Sequence, residues 1–129
     1  MTEEELLAGF EDGTLSAAGF GHHQHVQVAW MFVRRDGMPQ AIDHFSRALK
    51  RFADANGKPG LYHQTITWAY LLIIAERQAR APAATWSEFA LANPDLLTWR
   101  PSLLERYYAA GTLSSPLARE AFLMPDRLR

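Results

Sequence analysis

The chain has 129 residues, a hydrophobic share of 48% and a formal net charge of −1. This length suits one domain with an ordinary core, and the balanced charge does not favour nucleic acid or an anionic membrane as a partner. The chain contains no cysteine, which excludes disulfides, thiolate metal ligands and a cysteine nucleophile.

The N-terminus and the longest apolar stretch indicate a cytoplasmic protein. Residues 2–5, a threonine and three glutamates, make the N-terminus acidic, where a secretory signal would be basic. The longest apolar stretch, residues 66–75, is about half of what a membrane span needs. The lack of cysteine also fits a reducing compartment. We therefore expect a cytoplasmic protein without a membrane partner.

Three helices are predicted in the first part of the chain. A capping-box pattern, Thr2 with Glu5, predicts a short helix over about residues 3–11. Apolar residues at helical spacing predict a second helix from residue 22 or 23 to residue 35 and a third over about residues 39–55. Glycine-containing turns separate these segments.

The fourth predicted helix, about residues 61–81, is apolar nearly all round and therefore belongs at the centre of a bundle. Beyond it, Pro94, Pro101 and Pro116 each suit the first turn of a short helix. No segment shows the alternation of a strand. The sequence therefore predicts an all-α fold, a compact helical bundle of three longer helices plus several short ones, in a single domain over residues 1–129.

Four of the five histidines fall at the predicted starts of two helices. His22 and His25 are three residues apart, so they share one face of the second helix. Two imidazoles placed in this way can hold one metal ion if other helices supply further ligands. The positive end of the helix dipole disfavours a protonated ring, which keeps the imidazoles neutral, although it also weakly opposes a cation.

His63 opens the fourth helix, and crossing helices can bring it to the pair formed by His22 and His25. Three neutral imidazoles with an open position suit one divalent Zn, Fe, Ni or Cu ion. The plainer alternative is that the run around His23 is solvated surface and that His63 donates a hydrogen bond to a backbone carbonyl. His44 lies on the amphipathic third helix and receives no functional role.

Four further residues are candidates for binding a ligand or orienting the metal-bound histidines. They are Tyr62, Gln64, Tyr70 and Glu76. The alternative role for Glu76 is an ion pair with a nearby arginine. The alternative for Gln64 is that its side chain faces solvent. No catalytic residue is identified. The chain lacks GxGxxG and GxxxxGK[ST] motifs, so no nucleotide cofactor is expected. It also lacks HExxH and GxSxG motifs, so classical hydrolase chemistry is not expected. It also lacks the paired Glu-x-x-His motifs of di-iron bundles.

Three stretches resemble motifs of a family of small bacterial all-helical proteins without an assigned activity. These stretches are Phe20–Val26, Tyr62–Ala69 and Asn93–Leu97. The first family motif reads F-x-H-x-x-H and the second Y-H-E-T, and the resemblance extends over residues 20–127. It implies a site at His22, His25 and His63. Gln64 stands where the family has glutamate. If that glutamate is a metal ligand or a catalytic base in the family, this chain is altered in that role.

The sequence supports three hypotheses about function. The first is a mononuclear histidine metal site, with the metal activating water or oxygen for a small polar substrate. The second is a metal-free helical binding module for a small carboxylate, aided by a helix N-terminus. The third is an interaction protein whose helices complete a partner's bundle. The first two imply a small-molecule ligand, and the oligomeric state stays open.

Overall fold

A computed structural model describes residues 1–127, and this part of the chain is helical without any β-strand. The α-helices are α1 (Glu3–Asp12), α2 (His22–Asp36), α3 (Gln40–Ala55), α4 (Gln64–Arg80), α5 (Trp86–Ala92), α6 (Pro94–Leu97), α7 (Ala110–Leu113) and α8 (Pro116–Glu120). Within residues 1–127, no helix has the length and apolar character needed to cross a membrane.

The predicted all-α class is confirmed, and α2, α3 and α4 are the three longer helices. α4 starts later than predicted, because Pro59–Leu61 forms a separate 3-10 turn and His63 is extended, with a φ of −136°. Pro94 and Pro116 begin helices as predicted. Pro101 does not, because the 3-10 turn that follows it is capped by Ser102.

The chain forms two compact units, Met1–Tyr62 and His63–Arg129. The first unit contains α1, α2 and α3, and the second contains α4 to α8. The boundary falls directly before α4, which is the most apolar helix of the sequence. The expectation of a single domain stays a prediction.

Phenylalanine rings form the core of the first unit. Phe10 of α1 is fully buried, and its ring centroid lies within 6.0 Å of four other rings. Those rings belong to Phe20, Phe32, Phe45 and Phe52. Stacked and edge-on ring pairs of this kind add to the free energy gained by burying their apolar area. The cluster joins α1, α2 and α3 and includes the loop before α2.

That loop is also held by one polar side chain. Asn56, at the end of α3, accepts a hydrogen bond from the Ala17 backbone N–H at 2.9 Å and donates one to the Leu15 carbonyl at 3.2 Å. An amide that satisfies a donor and an acceptor of a loop fixes the path of its backbone. The start of α2 is therefore positioned by the loop as well as by its own packing.

In the second unit, polar side chains join α4 to the shorter elements. Arg77 of α4 makes two hydrogen bonds to the Asp95 carboxylate, at 2.6 and 2.8 Å, and a third to Asn93. Tyr70 is bonded to Ser102 at 2.9 Å. α4 is not buried on every side, because Leu72 is 41% exposed. The near-continuous apolar sequence of α4 therefore predicted more burial than the structure shows.

Candidate functional site

The first turn of α2 carries three histidines. The backbone N–H of Gly21, the residue before the helix, donates to the Gln24 side chain at 2.9 Å, which fixes how the chain enters the helix. His23 is exposed and lies about 100° around the helix from His22, whereas His22 and His25 are partly exposed. The residue pair singled out by spacing therefore lies between core and solvent.

His25 is neutral over the physiological pH range. Its ring centroid lies 4.6 Å from that of Phe20, at the edge of the phenylalanine core. Burial lowers the pKa of His25 from its ordinary value to about 4, and the positive charge that His22 can carry lowers it further. The sequence predicted neutral rings from the helix dipole, but the main physical cause is burial.

His63 has a structural role in α4. It is the N-cap residue, and its Nδ1 accepts a hydrogen bond from the Ile66 N–H at 3.1 Å. Its Nε2 lies 2.8 Å from the Leu113 carbonyl oxygen and donates to it, so the ring is neutral and protonated on Nε2. A metal bound at either nitrogen would replace one of these bonds. This is the backbone-bonded arrangement that the sequence left open as the alternative.

Tyr62 and Gln64, on either side of His63, differ in their surroundings. Tyr62 closes the first unit, and the Nζ of Lys50 lies 4.8 Å from the centre of its ring, a cation–π contact. Gln64 is the first residue of α4 and is partly exposed. Both side chains therefore reach solvent in part.

Tyr70 and Glu76 have structural partners. Tyr70 is 7% exposed, and burial raises the pKa of its phenol, an effect that its hydrogen bond with Ser102 partly opposes. Glu76 is exposed and pairs with Arg80 one turn later at 3.2 Å. Glu76 thus forms the arginine pair that the sequence offered as the alternative to a ligand role.

The predicted site residues are divided between the two units. His22, His25 and Tyr62 belong to the first, and the remaining candidates from His63 onward belong to the second. Within residues 1–127, no group of three or more histidine, aspartate or glutamate side chains is arranged to hold a metal ion. The pair of His22 and His25 is therefore the part of the predicted ligand set that local structure brings together.

Thr65 is a functional candidate that sequence reasoning missed. It is fully buried, and its hydroxyl donates to the Ala121 carbonyl at 2.8 Å and accepts from the Leu123 N–H at 3.1 Å. Tyr108, 1% exposed, donates its hydroxyl to the Leu123 carbonyl at 2.7 Å. In the sequence, Thr65 could have been found as the threonine of the Y-H-[EQ]-T motif. Two residues of that motif, His63 and Thr65, hold C-terminal segments against α4.

His44 also has a defined partner, although the sequence assigned it no function. Its Nδ1 lies 2.9 Å from the Asp36 carboxylate, which also pairs with Arg35. Arg35 and, less strongly, the hydrogen bond from His44 hold the pKa of Asp36 below its usual range. His44 is 48% exposed, so it is a suitable control residue for tests of the α2 histidines.

No protein family, no curated protein and no solved structure matches this chain. The resemblance to the small bacterial proteins therefore stays a prediction.

Proposed function

We propose that the protein binds one divalent transition-metal ion at the first turn of α2, through His22 and His25. The observation that carries this proposal is that these two partly exposed imidazoles lie on the same helix and interact electrostatically. His63 is left out of the ligand set because its Nδ1 caps α4 and its Nε2 bonds the Leu113 carbonyl.

Two histidine ligands leave coordination positions open. A tetrahedral ion held by two imidazoles retains two positions for water or a small polar molecule, one more than a catalytic zinc ion with three protein ligands. An ion so bound polarises an oxygen ligand or lowers the pKa of bound water. We therefore propose metal-assisted chemistry on a small polar substrate as the function of the site.

The neutrality of His25 favours a metal over the carboxylate alternative. A neutral imidazole offers a lone pair to a metal ion, but it supplies no positive charge to attract a carboxylate. Because the pKa of His25 is about 4, protons do not compete with a metal for this ring near neutral pH. A carboxylate at the same place would therefore gain no charge from His25, which leaves it the helix N-terminus and His22.

The test is zinc titration by calorimetry on protein first stripped with a chelator. We expect one zinc ion per chain, with affinity reduced at least tenfold in His22→Ala and in His25→Phe. The phenylalanine keeps an aromatic ring beside Phe20. His44→Ala is the matched control and should bind zinc like the wild type, because His44 is paired with Asp36 at the opposite end of α2 from His22.

Two results would contradict the proposal. One is unchanged zinc affinity when His22 and His25 are replaced together. The other is an equal loss in a folded His63→Asn variant, which would favour the three-histidine site. A small carboxylate that raises the melting temperature in excess chelator, in the absence of zinc binding, would support the metal-free alternative.

A further inference from the structure

The last described segment of the second unit is held firmly although it forms no regular secondary structure. We call this segment, residues 121–127, the strap. Within it there is no helix or strand, yet its backbone makes hydrogen bonds along its length. The N–H groups of Asp126 and Arg127 both donate to the Tyr107 carbonyl at 3.0 Å. An extended segment bound in this way resembles a bound peptide.

Buried hydroxyls recognise the backbone of the strap. Thr65 accepts from the Leu123 N–H and donates to the Ala121 carbonyl, and Tyr108 donates to the Leu123 carbonyl. Both side chains are at least 99% buried. Bonds to main-chain atoms do not depend on which side chains the bound segment carries. These two residues can therefore hold any extended segment of suitable length.

Side-chain contacts add a preference for particular residues. The ring of Phe122 is stacked on Trp68 of α4, with centroids 5.6 Å apart. Four residues later, the Asp126 carboxylate accepts hydrogen bonds from the Ala109 N–H and the Thr112 hydroxyl. The strap therefore presents an aromatic residue followed at the fourth position by an acidic one.

The strap is an incomplete match for the surface that binds it. Within the described residues, the indole N–H of Trp68 is buried without a hydrogen-bond acceptor. A buried donor without an acceptor costs free energy in the folded chain. The segment stacked on this indole is the strap itself. A different segment carrying an acceptor beside its aromatic residue would bind with one more hydrogen bond.

We propose that this surface, the strap groove formed by Thr65, Trp68, Tyr108, Ala109 and Thr112, is a binding site for an extended peptide segment of a partner protein. The preferred segment carries an aromatic residue, an acidic residue four positions later and an acceptor that reaches Trp68. The strap occupies the groove as a tethered competitor, whose high effective concentration excludes weak peptides. This inference is independent of the metal proposal, because it uses the second unit alone.

The test measures binding of a fluorescently labelled peptide, REAFLMPDR, the sequence of residues 119–127, to the full chain by anisotropy. In the variant Phe122→Ala/Asp126→Ala the strap is weakened while the groove is intact. We expect this variant to bind the peptide at least tenfold more tightly than the wild type. Met124→Ala is the matched control, since Met124 is 74% exposed, and should behave like the wild type.

Two further arms separate groove binding from nonspecific binding. Adding Thr65→Val to the weakened-strap chain removes the hydroxyl with little change in shape and should cancel the gain. Replacing the phenylalanine of the peptide by alanine should reduce its affinity at least tenfold. Equal affinity of the wild-type and weakened-strap chains would overturn the proposal. Indifference to the peptide's phenylalanine would also overturn it, and this arm stands even if the Thr65 variant fails to fold.

Discussion

The two units of the chain are stabilised in different ways. In the first, Phe10 and the rings around it join the helices through apolar contact. In the second, the side chains of His63, Thr65 and Tyr108 reach across to backbone carbonyls of other segments. In this protein, a buried polar side chain can serve to attach one segment to another. Its burial is therefore at least as good a sign of such attachment as of a chemical site.

Helix length accounts for the difference. In the first unit, α2 and α3 have 15 and 16 residues and bury long continuous faces. In the second unit, the helices after α4 have 7 residues or fewer. Short helices have a high proportion of end groups without intrahelical partners, and buried end groups need side-chain partners. The second unit therefore uses more side-chain-to-backbone bonds.

The largest effect is expected from Phe10→Ala. The side chain is fully buried and touches four other rings, so truncation leaves a cavity in the centre of the first unit. The free energy of unfolding should fall by about 3–5 kcal/mol, measured by urea denaturation. Leu91→Ala, at a residue 85% exposed in the second unit, should change it by less than about 0.5 kcal/mol. Equal losses of unfolding free energy in the two variants would contradict the conclusion that apolar contacts stabilise the first unit.

The pH dependence of stability tests the burial of His25. Its pKa is about 4 in the folded chain and about 6.5 when unfolded, so the unfolded state binds the extra proton between these values. The contribution of the neutral His25 ring to the free energy of unfolding is fully present above pH 6.5. It is lost as the pH falls toward 4, which lowers the free energy of unfolding by up to about 3 kcal/mol. Denaturation at several pH values, with a chelator present, measures this loss of stability.

The control for this experiment is His25→Phe, which removes the titrating group. The loss of stability between pH 6.5 and pH 4 should be smaller in this variant than in the wild type, whereas His44→Gln should retain it. A wild type and a His25→Phe variant with the same pH profile would show that His25 titrates near its ordinary value and is not desolvated.

His63→Ala tests whether polar attachment stabilises the second unit. The change removes the cap of α4 and leaves the Leu113 carbonyl without its donor, so stability should fall by about 2 kcal/mol. His63→Asn keeps a capping side chain and should recover part of the loss. The loss should be the same with and without a chelator. A loss seen only with metal present would identify His63 as a ligand after all.

Arg77→Met should have a smaller effect. Arg77 bonds Asp95 twice and is 26% exposed, so its loss should cost about 1 kcal/mol in thermal or urea unfolding. Arg47→Met is the matched control, because its pair with Asp43 is 73% and 58% exposed and should contribute less than about 0.5 kcal/mol. The two losses would be equal if burial did not strengthen the pair.

Local sequence patterns were sufficient to predict the first three helices and their ends. Thr2 and Glu5 form the reciprocal capping bonds that their spacing predicted. The bounds of α1, α2 and α3 differ from the predicted ones by about one residue. These features depend on contacts within three or four positions along the chain, which a sequence displays directly. The exposure of His23 follows from the same helical geometry.

The roles of the remaining histidines depend on tertiary structure. His63 is bonded to Leu113, 50 positions away, and Thr65 to Ala121, 56 positions away. The low pKa of His25 arises from burial at the edge of the ring cluster. Nothing in the spacing of these residues distinguishes a ligand from a cap, because both use the same lone pair. The sequence by itself determined the helical class and the ends of α1, α2 and α3, while tertiary packing alone decided which imidazole nitrogens are used in the fold.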